Sequence, residues 1–342
     1  VIIMFQFSFG QITKEGIPYS YMQNVINNLE VIILPFVDEG AMLAEDSYRS
    51  LGEPYRYGFQ HKVDYSPINS GVWEETKDGG LLWRIHFSST NAYAMRFEFE
   101  QFFIPQGGEL YIYSPDYEMI DGAYTAFNNT DSGYFSSNLI KGDATIIEYY
   151  QPAGVVEDVS FNILEIIHDY RDIMNFSGNE RDWECGVNVI CETDAAYQPA
   201  INSVAFLDMG GFICSGAMVN NVRQDLTPYF LTAWHCVDGD NPSTFRFYFQ
   251  KEASSCENTW SSLGPSAYSS NLVADSDGIE GGDWALLLIN DNIPEDWGVF
   301  YAGWDATENY PRISCGIHHP GGSGKKINYD DDVAYGAWWD DP

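Results

Sequence analysis

The chain has 342 residues, enough for two domains of ordinary size at about 150 residues each. Hydrophobic residues make up 45% of it and aromatic residues 16%, which excludes an intrinsically disordered chain. There are 50 acidic residues against 16 basic ones, for a formal net charge of −34. So large an excess of negative charge repels phosphate backbones and anionic lipid surfaces, and it excludes nucleic-acid binding.

The first eleven residues form a short apolar run that closes on small and polar residues, VIIMFQFSFGQ. The run resembles the end of a secretory signal peptide whose basic start is missing, and the alternative is a buried strand. No other stretch approaches the ~20 apolar residues of a membrane-spanning helix, so the sequence predicts no membrane anchor. We therefore expect residues 1–11 to be a signal-peptide remnant and the protein to be secreted.

Residues 12–59 form an N-terminal segment with a mixed pattern, which fits either a short helix or a strand over 22–34. Residues 60–168 contain short runs of alternating apolar and polar side chains that are rich in β-branched and aromatic residues. Such runs, separated by glycine, proline and asparagine turns, predict an antiparallel β-sandwich. The predicted strands cover 81–87, 93–99, 109–113 and 144–150.

Residues 169–184 end in a polar stretch without periodicity, which is typical of an exposed linker or a processing site. Beyond this segment the strand patterns resume, and their even spacing with turn residues between them predicts a β-barrel. The predicted strands cover 200–207, 211–219, 229–232, 245–249 and 284–289. Both parts of the chain are therefore expected to be all-β.

All six cysteines lie in the second part of the chain, and their spacing contains no CxxC pair. A zinc ribbon is therefore not expected, and disulfides are the default for the cysteines of an exported protein. The cysteines are Cys185, Cys191, Cys214, Cys236, Cys256 and Cys315. The part of the chain before Cys185 has to be stable through its hydrophobic core alone.

The sharpest local signal for chemistry is the run YFLTAWHC at residues 229–236, which places His235 directly after a predicted buried strand. A general base must be held in one orientation, and a disulfide beside the end of the strand would provide that rigidity. Such a base also needs a carboxylate that fixes its tautomer. Asp283 is the candidate, because it opens the apolar strand 284–289. The other nearby acids lie in polar loops and are expected to be solvated: Asp238, Asp240, Asp275 and Asp277.

Together with several further motifs, these residues resemble the trypsin-like serine endopeptidases, and more closely the secreted bacterial lysyl endopeptidases. The further motifs are CGVNVIC at 185–191, CSGAMVNN at 214–221, YAGWD at 301–305 and IHHP at 317–320. The resemblance implies an all-β fold, with a prodomain made of the N-terminal segment 12–59 and the β-sandwich 60–168. A chymotrypsin-like double β-barrel over 185–342 would follow, with its second barrel incomplete. It also implies that His235 and Asp283 are catalytic.

The same resemblance implies a disulfide framework. Cys214 would pair with Cys236, and Cys191 with Cys256. Cys185 would bond to a cysteine that is missing from this chain. Cys315 is additional to the cysteines of the family, so it is either a buried free thiol or a substitute partner for Cys185.

The sequence departs from the family pattern at the nucleophile. The family places a serine far downstream of the aspartate, in a Gly-x-Ser-Gly turn that also builds the oxyanion hole. The run GGSG at 321–324 mimics this turn, but it lies close after Asp283 and directly follows the IHHP strand, so Ser323 is interpreted as a decoy. We expect the chain to be a catalytically inactive fragment of a longer, active precursor. A natural pseudoenzyme is the second interpretation.

For the intact protein the resemblance implies a protein or peptide substrate and cleavage after lysine or arginine. We expect no cofactor and no metal, since residues 275–278 lack the ligands of a calcium loop. We also expect a monomer whose prodomain packs against the protease domain, with no nucleic-acid or membrane partner. No lysine occurs between Lys141 and Lys251, so a strictly lysine-specific enzyme could not release its own mature end near residue 180. Arg171 and Arg181 are available there.

The alternative function is a non-catalytic exported binding protein, whose aromatic-rich sandwich binds a glycan or a protein ligand. His235 and Asp283 would then be vestigial. Exposed coplanar Trp or Tyr rings on one face of the sandwich would favour this alternative. Packing of the sandwich against the barrel near His235 would favour the prodomain.

Overall fold

A computed structural model describes residues 16–25, 28–49, 52–174, 186–257, 261, 263–307 and 309–335 of the chain. The predicted signal-peptide remnant at 1–11, the polar stretch 175–184 of the predicted linker, and Cys185 lie outside these residues. Strands dominate the described part, so the prediction of an all-β fold is confirmed. Within it, no helix has the length and apolar content needed to cross a bilayer. The predicted domain boundaries stay predictions.

The described part contains three short α-helices and 22 strands. The helices are α1 (Tyr19–Met22), α2 (Glu39–Asp46) and α3 (Gln198–Ser203). The strands before residue 170 are β1 (Val31–Ile33), β2 (Tyr55–Arg56), β3 (Gly58–Tyr65), β4 (Val72–Glu75), β5 (Leu81–Ser88), β6 (Ala94–Phe103), β7 (Glu109–Tyr113), β8 (Ile120–Tyr124), β9 (Phe135–Ser136), β10 (Ile140–Lys141), β11 (Ala144–Gln151) and β12 (Ser160–Asp169). Those after it are β13 (Val187–Asn188), β14 (Val204–Asp208), β15 (Phe212–Val219), β16 (Tyr229–Thr232), β17 (Arg246–Tyr248), β18 (Ser266–Tyr268), β19 (Ser270–Asp275), β20 (Ala285–Ile289), β21 (Ser314–His318) and β22 (Lys326–Asp330).

The strands before residue 170, apart from β2, form two sheets that share one core. One sheet has the order β1-β5-β11-β7-β8 with β4 added to β5, and the other has the order β10-β6-β12-β3 with β9 added to β6. Because side chains alternate between the faces of a strand, each sheet turns one apolar face inward. The shared core contains Ile85 and Ile147 from the first sheet and Phe97 and Ile163 from the second. We call this part the sandwich.

The strands between residues 204 and 289 form a sheet with the order β18-β17-β14-β15-β16-β20-β19. Strands β18 and β19 lie at opposite ends of this order, yet only Ser269 separates them along the chain. The two ends of the sheet must therefore meet, and the sheet closes into a barrel, as in a chymotrypsin-like fold. Its apolar interior includes Leu207, Met218, Phe230 and Leu287. A further small sheet, β13-β22-β21, combines β13, which precedes the barrel strands in the chain, with β21 and β22, which follow them.

The predicted strand over 200–207 is wrong in its first half. Residues Gln198–Ser203 form helix α3, and β14 begins only at Val204. Pro199 occupies the first turn of the helix, where its missing N–H is not needed and its fixed φ angle suits the helix. A short run such as AINS fits either periodicity, so the pattern alone could not separate helix from strand.

One strand of the N-terminal part joins the barrel sheet. Strand β2 pairs antiparallel with β15, so that Arg56 lies opposite Phe212 and Tyr55 opposite Ile213. A mixed apolar cluster continues this contact, and it combines residues from both parts of the chain. Its buried members are Tyr57, Ala94, Leu139, Ile167, Ile173, Phe206, Ile213 and Tyr248.

Candidate active site

Strands β16 and β20 bring His235 and Asp283 to the same end of the barrel. The two strands are antiparallel neighbours, with Thr232 opposite Ala285. His235 follows the end of β16 and Asp283 precedes the start of β20. Because the end of one antiparallel strand lies beside the start of its neighbour, a separation of 48 residues becomes a direct contact.

The loop between β19 and β20 turns Asp283 toward the histidine. Ser276 and Trp284 close this loop, since the Ser276 N–H donates to the Trp284 carbonyl at 2.9 Å and the Trp284 N–H donates to Ser276 Oγ at 3.1 Å. Asp283 has a φ of +51°, in the left-handed region that aspartate adopts more readily than most residues. Gly282 before it has a φ of +110°. The sequence GGD therefore suits the sharp turn.

Asp283 binds His235 through both of its carboxylate oxygens. Oδ2 lies 2.7 Å from His235 Nδ1, and Oδ1 accepts the backbone N–H of His235 at 3.0 Å. The side chains are partly buried, with 19% of His235 and 15% of Asp283 exposed. A carboxylate at Nδ1 favours the tautomer with its proton on Nδ1, which leaves Nε2 able to accept a proton. The arrangement can thus serve as an oriented general base.

A disulfide anchors the turn that carries His235. Cys236 is bonded to Cys214 of β15, with 6.3 Å between their Cα atoms. Among the described residues, one group of side chains is close enough together to bind a metal ion. It consists of Cys214, His235 and Cys236, whose ligand atoms lie within 4.8 Å of one another. The two sulfurs are bonded to each other, however, so neither is a thiolate that could bind a metal. We interpret the group as a structural support for His235.

The second implied disulfide, between Cys191 and Cys256, is also present, with 5.2 Å between the Cα atoms. Both pairs that the family resemblance implied are therefore found. Cys315 is a free thiol within the described residues, and Cys185 lies outside them. The predicted bond of Cys185 stays a prediction.

Ser323 lies in a hairpin between β21 and β22, just after the turn Pro320–Gly322. It is buried, and its hydroxyl donates to the Gly324 carbonyl at 3.2 Å. Its own carbonyl lies 3.0 Å from Nδ1 of the buried His319, whose backbone N–H donates to Ser215 Oγ. None of these bonds involves His235.

Two residues of the N-terminal part lie close to elements that carry the site, and neither was predicted from the sequence. The Arg49 guanidinium carbon lies 5.2 Å from the ring centroid of Phe212, which begins β15 two residues before Cys214. A Cβ atom built on Gly52 would lie 3.5 Å from Ile279 Cδ1, in the loop that carries Asp283. Contacts between distant segments leave no periodicity or motif, so the sequence holds no signal that could have identified these residues.

Residues 180–341, which contain both His235 and Asp283, match the family model described as the C-terminal domain of lysyl endopeptidase. The chain is also similar to the lysyl endopeptidase of Pseudomonas aeruginosa, with 26% identity over 315 residues that make up 84% of this chain. The chain is related to the lysyl endopeptidase family. The similarity covers 66% of the length of the Pseudomonas protein.

Proposed function

We propose that this chain is part of the precursor of a secreted serine endopeptidase that cleaves after basic residues. The observation that carries the proposal is the 2.7 Å contact between His235 Nδ1 and Asp283 Oδ2. An imidazole oriented by a carboxylate at the end of a barrel strand is the base of an acyl-transfer site. The match of residues 180–341 to the family model supports the same assignment.

In the proposed reaction, His235 accepts the proton of a serine hydroxyl at Nε2, and Asp283 stabilises the resulting imidazolium. The serine oxygen attacks the peptide carbonyl, and the imidazolium then gives its proton to the leaving amine. Water repeats these steps on the acyl-enzyme and releases the second product. Among the described residues no serine hydroxyl is hydrogen-bonded to His235. We assign the nucleophile to a segment outside residues 1–342, and with it the backbone donors of the oxyanion hole.

We further propose that the N-terminal part is a prodomain that keeps the precursor inactive. Strand β2 occupies the edge of β15 next to the Cys214–Cys236 disulfide, and Arg49 covers Phe212 on the same strand. Gly52 lies close to Ile279, in the loop that carries Asp283. We propose that a peptide substrate uses the surface around these elements, so that the N-terminal part competes with it.

The distribution of lysine bears on specificity and processing. Because no lysine lies between Lys141 and Lys251, a strictly lysine-specific enzyme could not cut its own precursor near residue 180. We propose either a broader basic specificity that includes arginine or processing by another protease. N-terminal sequencing of the mature protein locates the cut, and a mature end directly after a lysine would contradict this proposal.

The function is tested by expressing the complete gene and assaying peptide amides that end in lysine, arginine or norleucine. We expect cleavage of the two basic peptides only, and complete inhibition by a serine-directed phosphonate. The norleucine peptide, whose side chain carries no charge, distinguishes an enzyme specific for basic residues from an unspecific hydrolase. A protease that the phosphonate leaves fully active would refute the assignment to the serine class.

The alternative of a glycan-binding sandwich has less support. Trp83 is fully buried in the sandwich core, and the Trp73 indole donates a hydrogen bond to the Pro67 carbonyl at 2.9 Å. These two rings are therefore engaged within the protein. The sandwich instead makes extensive contacts with the barrel, which favours the prodomain.

A further inference from the structure

One of the two arginines in the predicted linker 169–184 has its side chain bound inside the folded protein. Arg171 lies two residues after the end of β12, and only 15% of its side chain is exposed. Its guanidinium donates to Asp46 Oδ2 of α2 at 2.5 Å and to the Tyr55 hydroxyl of β2 at 2.9 Å. The guanidinium carbon also lies 4.8 Å from the centroid of the Tyr55 ring. The Arg171 side chain is therefore held by two elements that are far from it in the sequence.

Asp46 is the acceptor on which these contacts converge. It is the last residue of helix α2, and only 7% of its side chain is exposed. Besides Arg171, it accepts from Arg56 Nε at 2.7 Å through Oδ1 and from the Tyr170 hydroxyl at 2.8 Å through Oδ2. Burial alone would raise the pKa of Asp46, but the hydrogen bonds from Arg171, Tyr170 and Arg56 outweigh it and lower the pKa below its ordinary 3.8. At neutral pH the carboxylate is therefore ionised and pairs with the guanidinium of Arg171.

The backbone around Arg171 is fixed as well. Both carboxylate oxygens of the buried Asp169 accept backbone N–H groups, from Arg171 at 2.8 Å and from Ile173 at 2.9 Å. Asp172, between them, has a φ of +54°, in the left-handed region. Ile173 is completely buried, and its carbonyl accepts a hydrogen bond from the Lys251 amine at 3.1 Å. The chain is therefore bent and anchored at this point rather than extended.

Proteolysis after Arg171 requires a different arrangement. A protease that cuts after arginine takes the arginine side chain into a pocket and binds the flanking residues as an extended strand. Water is then added across the peptide bond, with its hydroxyl going to the Arg171 carbonyl carbon and its hydrogen to the Asp172 nitrogen. Neither requirement is met while Asp46 binds the guanidinium and Asp169 binds the turn. The bond becomes a substrate only after local opening, so the rate of cutting follows the population of the open form.

We propose that the Arg171–Asp172 bond is a latent cleavage site, which Asp46 of α2 keeps closed to proteases that cut after arginine. The site opens when residues 39–56, which carry both Asp46 and Tyr55, leave their positions. Cutting after Arg171 is thus a late step in the processing of the precursor, and it follows the displacement of α2. This inference rests on the proposed function only in taking the chain as part of a precursor that is cut after a basic residue.

The test is limited proteolysis of the folded chain by added trypsin, with mass spectrometry of the fragments over time. The measured quantity is the rate of cutting after Arg171 divided by the rate after Arg312, an exposed arginine in the irregular segment before β21 that is followed by the 66% exposed Ile313. Cuts after Arg181, which lies outside the described residues, do not enter this ratio. We expect a ratio below about 0.1 for the wild type. A higher ratio would overturn the proposal.

Two variants weaken the contacts of the guanidinium. Asp46→Asn removes the paired charge and is expected to raise the ratio by about 10- to 100-fold. Tyr55→Phe removes only the hydroxyl that accepts from Arg171 and is expected to raise the ratio by about 3- to 10-fold. Because phenylalanine keeps the ring, this second variant keeps the test informative if the first does not fold. An unchanged ratio in either folded variant would overturn the proposal.

Asp38→Asn is the matched control on the same helix. Asp38 caps the N-terminus of α2 by accepting the Ala41 N–H at 3.0 Å, and asparagine is an equally good cap. The variant removes one negative charge from the start of α2 but no hydrogen bond of Arg171, so we expect the ratio to stay within twofold of wild type. If Asp38→Asn raises the ratio as much as Asp46→Asn, the contact with Arg171 is not what closes the site.

The result does not depend on the chain's own activity, because the protease is added. Failure of this test leaves the peptidase proposal standing. Failure of the peptidase assay likewise leaves the result at Arg171 standing.

Discussion

Asp283 holds His235 at two points, with one carboxylate oxygen 2.7 Å from the ring and the other 3.0 Å from the backbone nitrogen. The first contact fixes the tautomer and the second fixes the position of the turn. Both depend on the pairing of β16 with β20, which places the two residues at one end of the barrel. A substitution at Asp283 should therefore affect the chemistry more than the fold.

We expect Asp283→Asn in the complete protein to lower kcat by about 10⁴-fold with little change in KM. An amide at this position cannot stabilise the imidazolium and allows the wrong tautomer of His235. Steady-state kinetics on a lysyl or arginyl peptide amide measures the effect. Asp277→Asn, an exposed acid of the same loop, is the control and should stay within twofold of wild type. Comparable kcat values for Asp283→Asn and wild type would argue against the dyad.

The two disulfides should contribute unequally to stability. Cys214–Cys236 closes 22 residues and Cys191–Cys256 closes 65. From loop-closure entropy we expect the double serine variants to lose about 3.4 and about 4.3 kcal/mol of unfolding free energy, respectively. Urea unfolding of both variants gives the values. If either variant is as stable as the wild type, the missing disulfide does not restrict the unfolded chain as the loop-closure estimate assumes.

Glu98 should make stability fall as the pH rises. Burial raises the pKa of Glu98 from its ordinary 4.5 to about 7, with Arg96 opposing the shift and Glu165 and Asp208 adding to it. Below pH 4.5 the carboxyl is neutral in both states. Between pH 4.5 and 7 the Glu98 carboxyl is ionised in the unfolded chain but still protonated in the folded one. The free energy of unfolding therefore falls by up to about 3 kcal/mol, and above pH 7 this loss is constant.

Glu98→Gln removes this dependence, because an amide does not titrate. We expect the stability of the variant relative to wild type to rise by about 3 kcal/mol from pH 4 to pH 8, as measured by urea unfolding across that range. Parallel pH profiles for the two proteins would contradict the assignment to Glu98.

Ile173 should be important for stability although it lies within the predicted linker 169–184. It is completely buried between the sandwich and the barrel. We expect Ile173→Ala to cost about 2–5 kcal/mol, by lost transfer free energy and a residual cavity. The control Ile68→Ala changes a residue that is 94% exposed and should stay within about 0.5 kcal/mol. A small effect at Ile173 would show that this segment is not anchored.

Much of the fold could be predicted because alternation is a local property. The strands at 109–113 and 229–232 are found at those residues, since each has one face toward a core. Helix α3 could not be separated from a strand, because six residues are too few to distinguish the two periods. The left-handed backbone of Asp283 was also not predicted, although the GGD sequence is typical of such a turn.

The candidate dyad could be predicted from residue types in context, since His235 follows one apolar strand and Asp283 precedes another. The interface between the sandwich and the barrel could not be predicted. Arg96 and Asp208 are separated by 112 residues, and a single buried arginine within a strand gives no indication of its partner. Long-range polar pairs depend on tertiary packing. No local pattern in the sequence shows which distant residues will meet.

Covalent labelling of the complete protein with a biotinylated fluorophosphonate, followed by mass-spectrometric mapping of the modified residue, tests the proposed His235–Asp283 base. We expect one labelled serine, outside residues 1–342, whose labelling is abolished by His235→Ala. Labelling of Ser323, or labelling that persists in His235→Ala at the wild-type rate, would contradict it.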